Sequence, residues 1–102
     1  MLNALLAVDF PDVETLRDQA TEVEVVGTCG CGCPSIDFQH GRGLGMTIRV
    51  NAGVQDSCAG LFLYTIEDPQ RGEVLGGIEW VGVEDTNPDQ FPSPELLNIS
   101  PA

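Results

Sequence analysis

Val13, Leu16 and Ala20 recur at helical spacing, while Asp12, Glu14, Arg17 and Asp18 fill the outward positions between them. Asp9-Phe10-Pro11-Asp12 has the makings of a helix start: a cap-type residue, a proline and early carboxylates. The pattern predicts a helix over about Pro11–Ala20. Leu2, Leu5 and Leu6 lie on one side of a shorter helix predicted over residues 2–7.

The period then changes from helical to two. Glu22-Val23-Glu24-Val25 alternates as a half-buried strand does, and its outward carboxylates suit a sheet edge, where charge discourages further pairing. Gly27 and the cysteine-rich run after it interrupt the alternation, which resumes at Ser35-Ile36-Asp37-Phe38-Gln39. His40-Gly41-Arg42-Gly43-Leu44-Gly45 predicts a glycine-rich turn, and Met46–Asn51 a strand with Ile48 and Val50 inward. Leu61-Phe62-Leu63-Tyr64-Thr65-Ile66 is apolar on both faces, as a central strand is. Asp68-Pro69-Gln70-Arg71-Gly72 predicts a turn returning into Glu73–Glu84, where Gly76-Gly77 permits a bulge. Ile78 and Trp80 share one face of that strand, Glu79 and Val81 the other. After Asp85 four prolines loosen the chain, leaving a single turn near Pro94–Leu97.

These elements predict an α+β fold, with an N-terminal helix packed on a four- to five-stranded, mainly antiparallel sheet. At 102 residues the chain is expected to be a single domain, 1–102, able to bury roughly 60–70% of its unfolded surface. The predicted core comprises Val13, Leu16, Val23, Val25, Ile36, Phe38, Ile48, Val50, Leu61, Leu63, Ile78 and Trp80.

Charge narrows the partners. The chain carries 16 Asp and Glu against four arginines (Arg17, Arg42, Arg49, Arg71) and no lysine, for a formal charge of −12. Such a balance repels phosphate backbones and anionic membranes, so no nucleic-acid or membrane partner is expected. It permits high solubility, tolerance of salt, or attraction to a basic protein partner. Met1–Val8 is apolar but lacks a basic start and meets Asp9 too soon for a signal peptide, which predicts a cytoplasmic location.

Candidate chemistry is confined to the cysteines. Cys29, Cys31 and Cys33 alternate with Gly30 and Gly32 ahead of Pro34, and Cys58 is the remaining thiol. On an extended backbone alternate residues stand ~6.5–7 Å apart, whereas a tetrahedral zinc with bonds of about 2.3 Å draws its sulfurs to ~3.8 Å. The backbone would have to curl, and Gly30 and Gly32 permit that. Cys29, Cys31, Cys33 and Cys58 are thus the candidate zinc ligands, with His40 competing for the fourth position. The spacing departs from the usual two separated Cys pairs of structural zinc sites. Two other readings stay open: inert thiols in a tight turn with no cofactor, or a disulfide or thiol-redox role. Redox is disfavoured because the cysteines run into a strand rather than the helix N-terminus that lowers a catalytic thiol's pKa, and a reducing cytoplasm keeps thiols free.

Other constellations point to turns. Asp85-Thr86-Asn87-Pro88-Asp89 imitates the start of a calcium loop, but Gln90 and Leu96 stand where glycine and glutamate belong. Gly41, Gly43 and Gly45 lack the lysine of a phosphate loop. His40, as a base for Cys33 or Ser35, has no evident orienting group. No acid–base pair or nucleotide cradle is recognisable, and the chain leans away from enzymes.

Leu5-Leu6-Ala7-Val8-Asp9-Phe10-Pro11 before a helix, then Cys31-Gly32-Cys33-Pro34-Ser35-Ile36 entering a strand, resembles a group of short acidic bacterial proteins of unassigned function. The likeness spans roughly the first 40 residues, with an echo in Gly77-Ile78-Glu79-Trp80, and implies no activity. In size, acidity and layout the chain is also similar to some small bacterial toxin-immunity proteins. The function expected is that of a small acidic, non-enzymatic protein-interaction domain of immunity type, with zinc binding and thiol redox as the alternatives.

Overall fold

The computed structural model describes residues 2–28, 35–38, 44–55, 59–82 and 93–102. Two short helices, α1 (Leu2–Leu5) and α2 (Val13–Ala20), precede the sheet. Its strands are β1 (Gly27–Thr28), β2 (Ile36–Asp37), β3 (Leu44–Val54), β4 (Gly60–Asp68), β5 (Gly72–Val81) and β6 (Leu97–Pro101). They pair antiparallel in the order β1-β2-β5-β4-β3-β6. This is the α+β plan read from the periodicity, with the doubly apolar β4 near the middle of the sheet. Among the described residues, no helix is long and apolar enough to cross a membrane.

One face of the sheet packs on the helices. Val50, Leu63, Leu75 and Ile78 are fully buried there with Leu5 and Leu16, and Leu6, Val13, Phe38 and Leu61 join the same cluster. The opposite face carries a smaller cluster of Tyr64, Ile66 and Val74, with Phe62 against it. β4 therefore serves both, through Leu61 and Leu63 on one side and Phe62, Tyr64 and Ile66 on the other.

Both neighbours of β4 are bulged beside Tyr64. On β3, Ile48 pairs with Tyr64 and Val50 with Leu63, so Arg49 is an extra residue. On β5, Gly77 pairs with Tyr64 and Leu75 with Thr65, so Gly76 is extra. Each bulge reverses the parity of the strand beyond it. That overturns the expectation that Ile48 and Val50 share the core face. Val50 is wholly buried, whereas Ile48 turns to the Tyr64 side and is 41% exposed. The same device lets Leu75 and Ile78, three residues apart, both enter the helical core. Gly76 has a steric reason to be glycine: a Cβ there would sit 2.6 and 2.7 Å from Tyr64 ring carbons.

The predicted first strand is corrected. Among the described residues Glu22–Val25 pairs with no strand, and the outermost strand on this side is the two-residue β1. Without a ladder the alternation is not imposed. Val23 still packs against the core, but Val25 is 53% exposed. Helix α2 begins at Val13 rather than Pro11, because Asp12 takes a left-handed conformation at φ 69°, one that a short polar side chain tolerates.

The prolines after Asp85 predict a loosened chain with one turn, yet Leu97–Pro101 forms the strand β6. Gln55 N–H donates to Leu96 O and Ala102 N–H donates to Arg49 O, so the even-numbered residues of β6 face β3. Pro101 then directs its missing N–H away from the sheet, where an edge strand accepts proline. The turn Pro94–Leu96 leads in as expected, with Leu97 N–H closing onto Pro94 O.

Gly76→Ala should cost about 1–3 kcal/mol, as overpacking does. Gly53→Ala, where an added Cβ meets nothing within 4 Å, should stay within about 0.5 kcal/mol of the parent. Urea unfolding of the two variants checks this, and equal costs would remove the role assigned to the Tyr64 contact.

Candidate functional site

The β3 bulge delivers Arg49 to the helical face. There Arg49 Nε and Nη2 donate to the two carboxylate oxygens of Glu73 at 2.8 Å each, a bidentate pair, while Thr65 Oγ1 donates to the same carboxylate at 2.5 Å. Arg49 lies 5.5 Å over the Phe10 ring and 3.9 Å from Asp12, which ties the start of α2 to the sheet. Hydrogen bonds from Arg49 hold the Glu73 carboxyl below its ordinary range, against the opposing effect of burial; Thr65 and the Arg49 charge add to the lowering. The Glu73 carboxylate in turn raises the Arg49 pKa.

On its β2 side, β5 is paired among the described residues through Gly77 and Ile78, and Phe38 N–H adds one bond to Gly76 O. Nearer the start of β5 the described ladder on that side stops. Gln19, at the end of α2, fills the gap with its amide: Nε2 donates to Glu73 O and Oε1 accepts from Leu75 N–H, both at 2.9 Å. A side-chain amide here replaces one residue of a strand. At the turn that starts β5, Asp68 Oδ1 accepts from Gln70 and Arg71 N–H, which lowers its pKa. Gly72 takes φ 78° and lets the chain return.

Alongside the Gln19 clamp opens a cleft of about 340 Å³. The buried Phe38 and the half-buried Val23 and Val26 line it, Glu22 and Glu24 stand exposed on its wall, and Gln19 and Arg71 complete it. Arg71 is already paired with Asp68 at 3.5 Å, so among the described residues the charge at the cleft without an ion pair is that of the two glutamates. The sequence did not announce this site. Its members come from α2, the stretch after it, the residue following β2 and the β4–β5 turn, and only tertiary packing joins them.

Cys29, Cys31, Cys33, Cys58 and the competing ligand His40 lie outside the described residues. Among the described residues no three His, Cys, Asp or Glu side chains cluster as a metal site. The described residues that flank the cysteines lie at one end of the sheet. Thr28 pairs with Ile36, and Ser35 Oγ accepts from Trp80 N–H at 2.8 Å. Trp80 is opposite Leu61, and Val54 N–H donates to Ala59 O at 2.9 Å. Ser35, considered above as a nucleophile, is thus engaged with the β5 backbone.

The aromatic residues do not form a common face. Trp80 packs toward the helical core, whereas Phe62 and Tyr64 meet on the other side with ring centres 6.3 Å apart. Tyr64 donates its hydroxyl to Asp37 Oδ1 at 3.0 Å.

Compared with protein-family models, with curated proteins and with solved structures, the chain matches none.

The Glu73 pair sets an acid limit. Its carboxyl titrates lower in the folded chain than the ordinary 4.5, so the stabilisation is complete above that value and is lost as pH falls through the folded-state pKa. Glu73→Gln should cost about 1–3 kcal/mol at pH 7, and the gap from the parent should narrow below about pH 4.5. Denaturant titrations at pH 7 and pH 3 measure it, and a gap unchanged between them would assign Glu73 a packing role instead.

Proposed function

We propose that this chain is a non-enzymatic protein-interaction domain whose acidic surface selects a basic protein partner, acting in the cytoplasm. One observation carries the reading. Every described arginine is matched by carboxylates within the fold: Arg17 by Asp9 and Glu14, Arg49 by Glu73 and Asp12, Arg71 by Asp68. By contrast Asp18, Glu22, Glu24, Glu67, Glu79 and Glu95 have no cationic partner among the described residues. With a net −12, the surplus field attracts cations and repels nucleic acid and anionic lipid. An immunity-type role, binding and neutralising a basic toxin, is the particular case that the resemblance to toxin-immunity proteins favours.

Affinity capture with the immobilised chain tests this, with mass spectrometry of what is retained. The retained proteins should be predominantly basic and should elute as salt rises from about 0.1 to 0.5 M, because exposed charge pairs are screened over that range. Retention of neutral or acidic proteins that resist salt would overturn the reading.

A second reading, zinc held by Cys29, Cys31, Cys33 and Cys58, draws support from the flanking residues: Thr28, Ser35 and Ala59 all belong to the same end of the sheet. Elemental analysis of chain purified without added metal should then find about one zinc per chain, lost in Cys58→Ser, and chelation should lower the Tm. Metal-free chain with an unchanged Tm in chelator would remove this reading.

A further inference from the structure

The cleft beside the Gln19 clamp has three properties that together specify an occupant. Its floor, Phe38 with Val23 and Val26, is apolar and suits the methylene stem of a long side chain. Its wall carries Glu22 and Glu24, both exposed and without an ion-pair partner among the described residues. Beside it, neither Glu24 nor Val25 has a hydrogen-bond partner among the described residues. Val26 N–H, by contrast, is bonded to Asp37 O at 2.8 Å.

From these we infer that the cleft receives an extended, lysine- or arginine-bearing segment of a basic partner protein. The segment pairs its backbone with Glu24 and Val25, lays the stem of one basic side chain on Phe38, and brings its charged head to Glu22 and Glu24. A cation is selected over an anion because the two glutamates outweigh Arg71, whose charge Asp68 already offsets. The volume of about 340 Å³ lies near the lower end for ligand pockets, enough for one long side chain rather than a folded surface. The Gln19 amide closes the β5 edge behind the cleft, so the incoming segment has the Glu24–Val25 backbone as its pairing surface and not β5. This inference rests on the basic-partner reading and adds to it a site and a binding mode.

The test uses octalysine as the probe, titrated into the full chain by calorimetry at about 20 mM salt, where surface charge pairs are least screened. The double variant Glu22→Gln with Glu24→Gln changes only exposed side chains, and circular dichroism establishes that it keeps its fold. Its control, Glu79→Gln with Glu95→Gln, removes the same formal charge from outside the cleft. The cleft variant should bind octalysine about tenfold more weakly, as expected when two exposed ion pairs are lost together, and the control within about twofold of the parent. Equal weakening in both variants would overturn the cleft while leaving the basic-partner reading in place. No binding of octalysine by the parent chain at this salt would overturn both.

Discussion

β4 runs without irregularity through the sheet, and each strand beside it inserts one residue next to Tyr64. This double bulge is the constraint on which the remainder of the molecule depends. Strand parity is otherwise rigid: side chains alternate, and a one-residue slip exchanges the two faces. With Arg49 inserted in β3 and Gly76 in β5, Val50, Leu63, Leu75 and Ile78 meet on one face although their spacing does not share a single alternation. The Tyr64 ring lies over Gly76 and Gly77, where a side chain on either glycine would collide with it.

The bulges also place the charged hub. Arg49 and Glu73 belong to strands on opposite sides of β4, and they meet over Thr65 on the helical face. A bidentate arginine–carboxylate pair with both side chains about one-fifth exposed is less screened than the surface pairs of Arg17, whose partners are 81% and 95% exposed. From the hub the connections run to α2: Phe10 under the guanidinium, Asp12 beside it, and Gln19 bonded to the backbone on either side of Val74. α2 is only eight residues long, too short to persist by propensity, so these tertiary contacts and the burial of Val13 and Leu16 hold it in place.

The cleft follows from the same arrangement. β2 spans Ile36–Asp37, and among the described residues it pairs with Gly77 and Ile78 of β5 and not with the start of that strand. A bare edge invites indiscriminate pairing, and Gln19 blocks it with a side chain, while Glu22–Val25 joins no ladder among the described residues. Beside the blocked edge lies a concavity lined by apolar residues and by two carboxylates without an ion pair among the described residues. The far edge is guarded differently: Pro101 has no outward donor, and Leu97 N–H is occupied by Pro94 O. One edge of the sheet thus offers few outward donors, and at the other lies an acidic groove.

Sequence by itself determined the elements whose burial is simple. The α2 stripe, the doubly apolar β4, the turn at Asp68–Gly72 and the bulge at Gly76-Gly77 were all legible, because each is encoded within a few neighbouring residues. So was the excess of carboxylates. Tertiary structure alone decided the outward turn of Ile48, the failure of Glu22–Val25 to become a strand, and the recruitment of Leu97–Pro101 as one. In each case the outcome depends on which neighbour is present to accept hydrogen bonds, and alternation carries no information about that. The cysteines, the most conspicuous feature of the sequence, lie outside the described residues. The cleft was hidden for a physical reason: Gln19, Glu22, Phe38 and Arg71 are ordinary residues in isolation, and they line one cleft only where α2 docks against the start of β5.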